Sequence, residues 1–388
     1  MSLMIRATAR TVAVALALAL GACASNDEKE DTDPVPLVDI KPTVELKEVW
    51  SHNIGDIDAK LYAMLEPHIA DGKLVAANSD GDVIAFDRST GKRQWKTDLD
   101  IQISGGVGVG LGIAVVADYR GRVIALNLDN GEEVWNHQVS GEVVAAPAVG
   151  SGRVVVQTVD GKLIGLDAST GEERWNHSTV LPLLTLRGNA APIISGGVVF
   201  AGLDNGKVIA LDATDGIGRW DQRVAIPQGS AELDRVVDID GSPVVRGELV
   251  FAASYQGRVA ALSRDDGRGL WARDASTNHS VAVGAGNVYL SDASGSVYAY
   301  NVGNGQIVWS NNELLRRQLS APAYFGDTVI VGDLDGYLHV LDPATGHFIG
   351  RKRIDSDPIR IPLLVDGDLL FAVSDDGELV ALRLQRRQ

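Results

Sequence analysis

Cys23 is the single thiol of the sequence, so chemistry that needs a thiol pair, whether a disulfide, a Cys-X-X-Cys redox couple or a thiolate zinc site, is closed to this chain. The histidines offer no metal site in its place. His52, His137 and His177 each stand two residues after a tryptophan, which marks a repeated structural position, and no H-x-x-x-H or H-E-x-x-H spacing occurs. The run Gly105-Gly106-Val107-Gly108-Val109-Gly110-Leu111-Gly112 has the glycine content of a phosphate-binding loop. Its glycines alternate, however, and no helical segment follows, so it reads as a packed inner strand. Neither a G-x-S-x-G elbow nor a G-x-x-x-x-G-K-[ST] loop is present. Many carboxylates fall in Asp-Gly pairs, where bonding to local backbone accounts for them. No catalytic residue, metal ligand set or cofactor cage emerges; whether two acids meet in the folded core is not written in the linear sequence.

The one reactive group, Cys23, sits at the end of a targeting segment. Arg6 and Arg10 form a basic start, Thr11 to Leu20 is an apolar run too short to span a bilayer, and Leu20-Gly21-Ala22-Cys23 supplies small residues followed by the thiol. The junction resembles a bacterial lipobox, which implies a signal peptide over 1–22 and lipidation of Cys23 as the new N-terminus. Ala24 stands where an Asp commonly retains such lipoproteins in the inner membrane, so the resemblance implies the periplasmic face of the outer membrane of a Gram-negative bacterium. Residues 23–44 are acidic, Pro-containing and without periodicity, as expected of an extended tether. The formal charge is −16, and loss of Arg6 and Arg10 with the leader leaves −18. Such a surface repels phosphate backbones and disfavours nucleic acid as a partner.

What positions the remaining side chains is a repeat. DGDVIAFDRSTGKRQW from Asp80, RGRVIALNLDNGEEVW from Arg120 and DGKLIGLDASTGEERW from Asp160 are successive copies, continued from Asn205, Gln256, Ser294 and Asp335, with a shortened eighth copy, DGELVALRL, from Asp376. From Trp95 to Trp309 the tryptophans recur at intervals of 40, 40, 45, 51 and 38 residues, a period that means a solenoid, propeller or array. Each copy reads as four antiparallel strands: a short one marked by Pro (Pro67, Pro147, Pro192, Pro243, Pro322, Pro362), an apolar one, an Asp-Gly or Asn-Gly pair suited to a type I′ turn, an alternating one, a Gly turn, and a last strand carrying the Trp. The unfinished eighth copy and the orphan strand at residues 45–54, with Trp50, complement each other. The expectation is an all-β, eight-bladed propeller over 45–388, closed by its N-terminal strand.

Ala85–Trp95 and Ala210–Trp220, of the form A-x-D-x-x-[TD]-G-x-x-x-W, resemble the tryptophan-docking repeats of the pyrroloquinoline-quinone dehydrogenase-like propellers. The tryptophans then serve as wedges between blades. Gly350 departs from the pattern, standing where other copies have Trp. From the blade Trp, or Gly350, to the next Pro is 12 or 13 residues after Trp135, Trp309 and Gly350, but 17 after Trp175 and 23 after Trp220. Both long connections flank the blade of Pro192 to Trp220 on one face. The first holds Leu184, Leu186 and Arg187; the second holds Glu232, Asp234, Asp238 and Asp240 with Arg235. Leucines and an arginine beside a row of acids have the composition of an interaction patch; folding of the leucines onto blade edges is the structural alternative.

With the lipobox, tether and eight repeats, the segments LTLRG and ELDRVVDID resemble the BamB family, lipoprotein subunits of the outer-membrane β-barrel assembly machine. The resemblance implies a non-catalytic scaffold whose loops contact the periplasmic POTRA domains of the central barrel subunit, BamA, and gives an interface role to Leu184, Leu186, Arg187, Asp238 and Asp240. It implies no cofactor, and a role in delivering or orienting unfolded outer-membrane proteins, with direct contact to them left open. A periplasmic quinoprotein dehydrogenase is the alternative enzyme reading, opposed by the missing vicinal cysteines that such enzymes usually carry. A ligand-sensing propeller is the third.

Overall fold

The computed structural model describes residues 32–57, 65–180, 182, 190–225 and 237–387. Among them there is no helix; they form eight four-stranded antiparallel sheets arranged as an eight-bladed propeller. We number blades by their innermost strands: His68–Ala70 opens blade 1, Ile103–Gly110 blade 2, Ala148–Gly150 blade 3, Ile193–Ser195 blade 4, Val244–Arg246 blade 5, Ala282–Gly284 blade 6, Ala323–Phe325 blade 7 and Leu364–Asp366 blade 8. The two middle strands of a blade face a neighbour on both sides and are apolar on both. In blade 3, Arg153–Gln157 and Lys162–Asp167 bury Val154, Val155, Val156, Leu163, Ile164 and Leu166. The outer strand, Glu173–Ser178, buries only Trp175. Gly105 to Gly110 of the glycine run lie in the innermost strand of blade 2, as expected, while Leu111-Gly112 form the turn after it (φ 53° and 77°). A Cβ on Gly108 would stand 2.0 Å from the carbonyl oxygen of Pro147, so bare backbone is what lets blades 2 and 3 meet.

The turns differ from expectation in an instructive way. Type I′ geometry occurs between the innermost and second strands, at Asp71-Gly72 (φ 50° and 73°) and Ser151-Gly152 (φ 52° and 75°). The Asp-Gly pairs between the second and third strands do not adopt it. In Thr158-Val159-Asp160-Gly161 only Gly161 is left-handed (φ 81°), and its N–H donates to the Thr158 carbonyl at 2.9 Å. This four-residue connection lets its first side chain hold the turn: Asp118 Oδ1 accepts from the amides of Arg120 (2.9 Å) and Arg122 (2.8 Å). A two-residue I′ turn would have no room for that bond.

Blades are joined by one repeated contact. The Trp of each outer strand lies on the glycine of the next blade's outer turn and donates its indole N–H to a carbonyl there: Trp95 to Leu128 (2.9 Å), Trp135 to Ala168 (2.9 Å), Trp175 to Ala213 (3.0 Å), Trp220 to Arg264 (2.9 Å), Trp271 to Val302 (2.8 Å) and Trp309 to Pro343 (2.9 Å). Gly171 shows why the turn must be glycine. Its φ is 74°, and a Cβ would lie 2.6 Å from the Trp135 ring. The position two after the Trp caps the same turn: His52 meets the Gly91 carbonyl at 2.6 Å, Thr97 that of Gly131 at 2.7 Å and Asn311 that of Gly346 at 2.8 Å. For His52, the repeat position is a structural cap.

The ring closes as expected. Val44–Asn53 pairs antiparallel with Glu378–Arg386, completing blade 8, and Trp50 docks on blade 1 through the Arg88 carbonyl at 3.0 Å. The exception at Gly350 follows from this closure. Blade 8 is built from the two ends of the domain and has no outer turn to receive a Trp; Val44 occupies the space instead, 3.0 Å from where a Gly350 Cβ would be. Deleting 44–53 should therefore open the ring and lower the melting temperature sharply, and Trp175→Ala should cost about 3–5 kcal/mol in urea unfolding. A Trp175→Ala protein as stable as the parent would show that docking is not what holds the blades together.

Candidate functional site

The departure from repetition lies around blade 4. In seven blades the turn between the second and third strands opens on a residue with a polar side chain (Asn78, Asp118, Thr158, Ser254, Asp292, Asp333, Ser374); in blade 4 that position is Leu203, and the acid follows at Asp204. Leu203 and Asp204 are both buried. Against them packs the end of the second long connection. Ile239 N–H donates to the Leu203 carbonyl at 3.4 Å and Tyr255 N–H to the Asp238 carbonyl at 2.9 Å, while Val237 and Ile239 fill the gap between blades 4 and 5. This pinning brings Asp204, Asp238 and Asp240 together.

The electrostatic consequence is large. Burial pushes Asp204 up to about 7, with the charges of Asp238 and Asp240 adding to it; burial likewise pushes Asp240 up to about 7, with Asp238 adding. Asp240 Oδ1 is buried without a hydrogen-bond partner among the described residues. Asp240 also lines a cavity with Glu66, Ser242, Asn278, His279 and Pro362. These come from the segments that lead into blades 1, 5, 6 and 8, which meet only at the ring axis. Burial pushes Glu66 up to about 7 and His279 down to about 4. The cavity is about 20 Å³, room for a single water and far too small for a planar cofactor.

A second feature adjoins the first long connection. Between the outer strands of blades 3 and 4 runs an open groove of about 450 Å³, walled by His177 to Val180, Leu203, Lys207, Ile209 and Gly218 to Asp221. Val180 is 86% exposed at its rim. The groove thus offers apolar surface from Val180 and Trp220 beside the charges of Lys207, Arg219 and Asp221.

Of the residues singled out in the sequence, Leu184, Leu186, Arg187 and Cys23 lie outside the described residues. Asp238 and Asp240 are described, and neither stands in a solvated row: Asp238 is fully buried and Asp240 is held at the channel end. The segment Val237–Asp240 is squeezed between two blades, so alternation cannot send its acids to solvent. Asp204, Glu66 and His279 were not legible as partners because they come from other blades. Leu203, the break in the polar turn position, is the signal that could have pointed to Asp204.

A tryptophan-docked ring whose described asymmetry includes a buried acid cluster and a groove at blade 4 defines a propeller of the pyrroloquinoline-quinone-like repeat class. The family model described as outer membrane protein assembly factor BamB matches residues 79–311 and 312–387. Outer membrane protein assembly factor BamB of Pseudomonas aeruginosa is 51% identical over 363 residues, covering 94% of this chain and 95% of that protein. The crystal structure of BamB from Moraxella catarrhalis superposes with a TM-score of 0.80 at 29% identity, covering 87% of this chain and all of that one. The chain belongs to the BamB family of outer membrane protein assembly factors. By that membership it is an assembly factor and not an enzyme. Quinohemoprotein alcohol dehydrogenase from Comamonas testosteroni, at 16% identity and a TM-score of 0.68 over 87% of this chain and 76% of that one, shares the fold alone.

The raised carboxyls make stability depend on pH. Asp240 binds its proton more tightly folded than unfolded, so its favourable contribution is complete near pH 4 and lost as pH rises through about 7. His279 acts in the opposite sense, losing its contribution as pH falls from 6.5 towards about 4. Asp240→Asn isolates the first effect: it should raise the melting temperature at pH 8 and change it little at pH 4. Equal shifts at both pH values would mean that Asp240 carries no buried charge.

Proposed function

We propose that the chain is a lipid-anchored, non-catalytic scaffold of the β-barrel assembly machine at the periplasmic face of the outer membrane, and that it binds the POTRA domains of BamA with the quadrant around blade 4. The observation that carries this reading is the pair Asp204 and Asp240, whose carboxyls are pushed up to about 7 by burial, with the charge of Asp238 adding to it. Carboxyls raised in this way ionise at neutral pH only at a cost, which an added cation relieves, and perturbed groups of this kind concentrate at functional sites. A lysine or arginine of a partner, entering over the second long connection, supplies that cation. The leucines of the first connection, with the adjoining groove, supply apolar contact, and Arg187 a planar donor for a partner carboxylate.

Binding of the purified protein to POTRA domains tests the reading. Leu184→Ala, Leu186→Ala and Arg187→Ala should each weaken binding by on the order of 2 kcal/mol, about thirtyfold in Kd. Asp240→Asn should weaken it while raising stability at pH 8, a combination that a purely structural role does not produce. Unchanged affinity in all four variants would remove this face from the mechanism. The anchor has its own test: Cys23→Ser should abolish metabolic labelling by palmitate, and continued labelling would refute lipidation at Cys23.

A further inference from the structure

Residues 34–43, which composition assigns to a free tether, lie along the far side of the ring. Val35 N–H donates to the Leu315 carbonyl at 3.1 Å, and Arg317 Nη1 donates to the Val35 carbonyl at 3.1 Å. Arg351 Nη1 donates to the Val38 carbonyl at 3.0 Å, and Thr43 N–H to the Ile349 carbonyl at 2.8 Å. Between these bonds Leu37 packs on the apolar cluster of Tyr289, Trp309 and Leu314.

The two arginines are held by a buried network. Arg317, 4% exposed, donates Nε to Asp333 Oδ2 at 2.7 Å and pairs with Asp335. His339, fully buried, meets the same Asp333 oxygen through Nε2 at 2.9 Å, and Arg351 Nε donates to His339 Nδ1 at 3.1 Å. Because Nδ1 accepts, the imidazole is neutral with its proton on Nε2. Asp333 therefore orients one guanidinium directly and the other through His339, and both aim a free N–H at a linker carbonyl. Backbone carbonyls are what they read, so an extended segment fits almost irrespective of its side chains, apart from the pocket for Leu37.

We infer that Arg317 and Arg351 form a clasp for the chain's own linker at Val35 to Val38, which fixes the point on blade 7 from which the membrane anchor departs. The contacts stand by themselves; only the consequence for orientation rests on lipidation of Cys23. Eleven residue steps from Cys23 to Pro34 can span at most ~40 Å. The clasp lies three blades from blade 4 in a ring of eight. A propeller held there turns its blade 4 quadrant away from the departing linker, leaving that quadrant open to a partner, whereas a propeller swinging on a free tether would present every side in turn.

Hydrogen exchange on the processed protein purified from membranes tests the clasp. The Val35 amide should exchange about a hundredfold slower than in an unstructured peptide. Leu37→Asp, a lesion in the linker that leaves every blade intact, and Arg317→Gln should each restore nearly free exchange. Val35 exchanging at the free-chain rate in the parent would overturn the proposal. The same protein in phosphatidylethanolamine–phosphatidylglycerol vesicles containing quencher lipid tests orientation, with a fluorophore on Ser356→Cys beside blade 7 or Asp215→Cys on blade 4. Quenching should favour the first position in the parent and become equal in Leu37→Asp; equal quenching in the parent would overturn the fixed orientation. Failure of the protein to join vesicles would refute the anchor, while Val35 protection would still decide the clasp.

Discussion

The contact between an indole and the glycine turn of the next blade sets the terms for everything else in this domain. A blade is apolar on both faces of its middle strands and cannot shed water by itself; it needs a neighbour on each side. The Trp provides a large buried surface and one directional bond, so neighbouring blades meet in a fixed register as well as at a fixed distance. Seven such contacts leave one junction in the ring, and the strand Val44–Asn53 closes it by a different device, placing Val44 against Gly350 where no turn exists to accept an indole. Absence of a Trp in blade 7 and absence of an outer turn in blade 8 are therefore a single fact seen from two sides.

That contact also explains how much of the architecture was legible. Trp, Gly and the polar turn positions recur because each blade needs the same wedge, socket and hairpin, so aligning the copies gives the blade count and the shared last blade. The turn type was less legible, since Asp-Gly suits type I′ in isolation but here follows Thr158 or Asp333, whose side chain stabilises a longer turn. At the site, loop length drew attention to Asp238 and Asp240, yet their burial depends on Asp204 in the preceding blade and on Glu66 and His279 across the axis. Contacts across an axis have no local sequence signature. The docked linker escaped for a related reason: its composition says extended, which it is, and its bonds end on Arg317 and Arg351 at the other end of the chain.

Deviations from the repeat carry the individuality of a symmetric scaffold. The fold is shared with a dehydrogenase at 16% identity, so the ring itself says little about activity. What distinguishes this chain sits where the blades stop being alike: the overlong connections around blade 4, the exchange of a polar turn residue for Leu203, and the network of blade 7 that receives the linker.

Two buried charge clusters permit a direct comparison of how one chain holds buried carboxyls. In blade 7, burial pushes Asp333 up, but hydrogen bonds from His339, the Tyr337 amide and Arg317 outweigh it and hold the carboxyl below its ordinary value. The charge is answered from within the chain, and the cluster needs nothing more. Between blades 4 and 5 burial acts in the same direction on Asp204 and Asp240, and the charge of Asp238 adds to it, leaving both at about 7. Burial is common to both sites; what separates them among the described residues is that Arg317 and His339 bond Asp333, whereas the neighbours of Asp204 and Asp240 are acids that raise them further. A cation brought beside Asp204 and Asp240 would lower both carboxyls, so their raised state is what a charged neighbour would change.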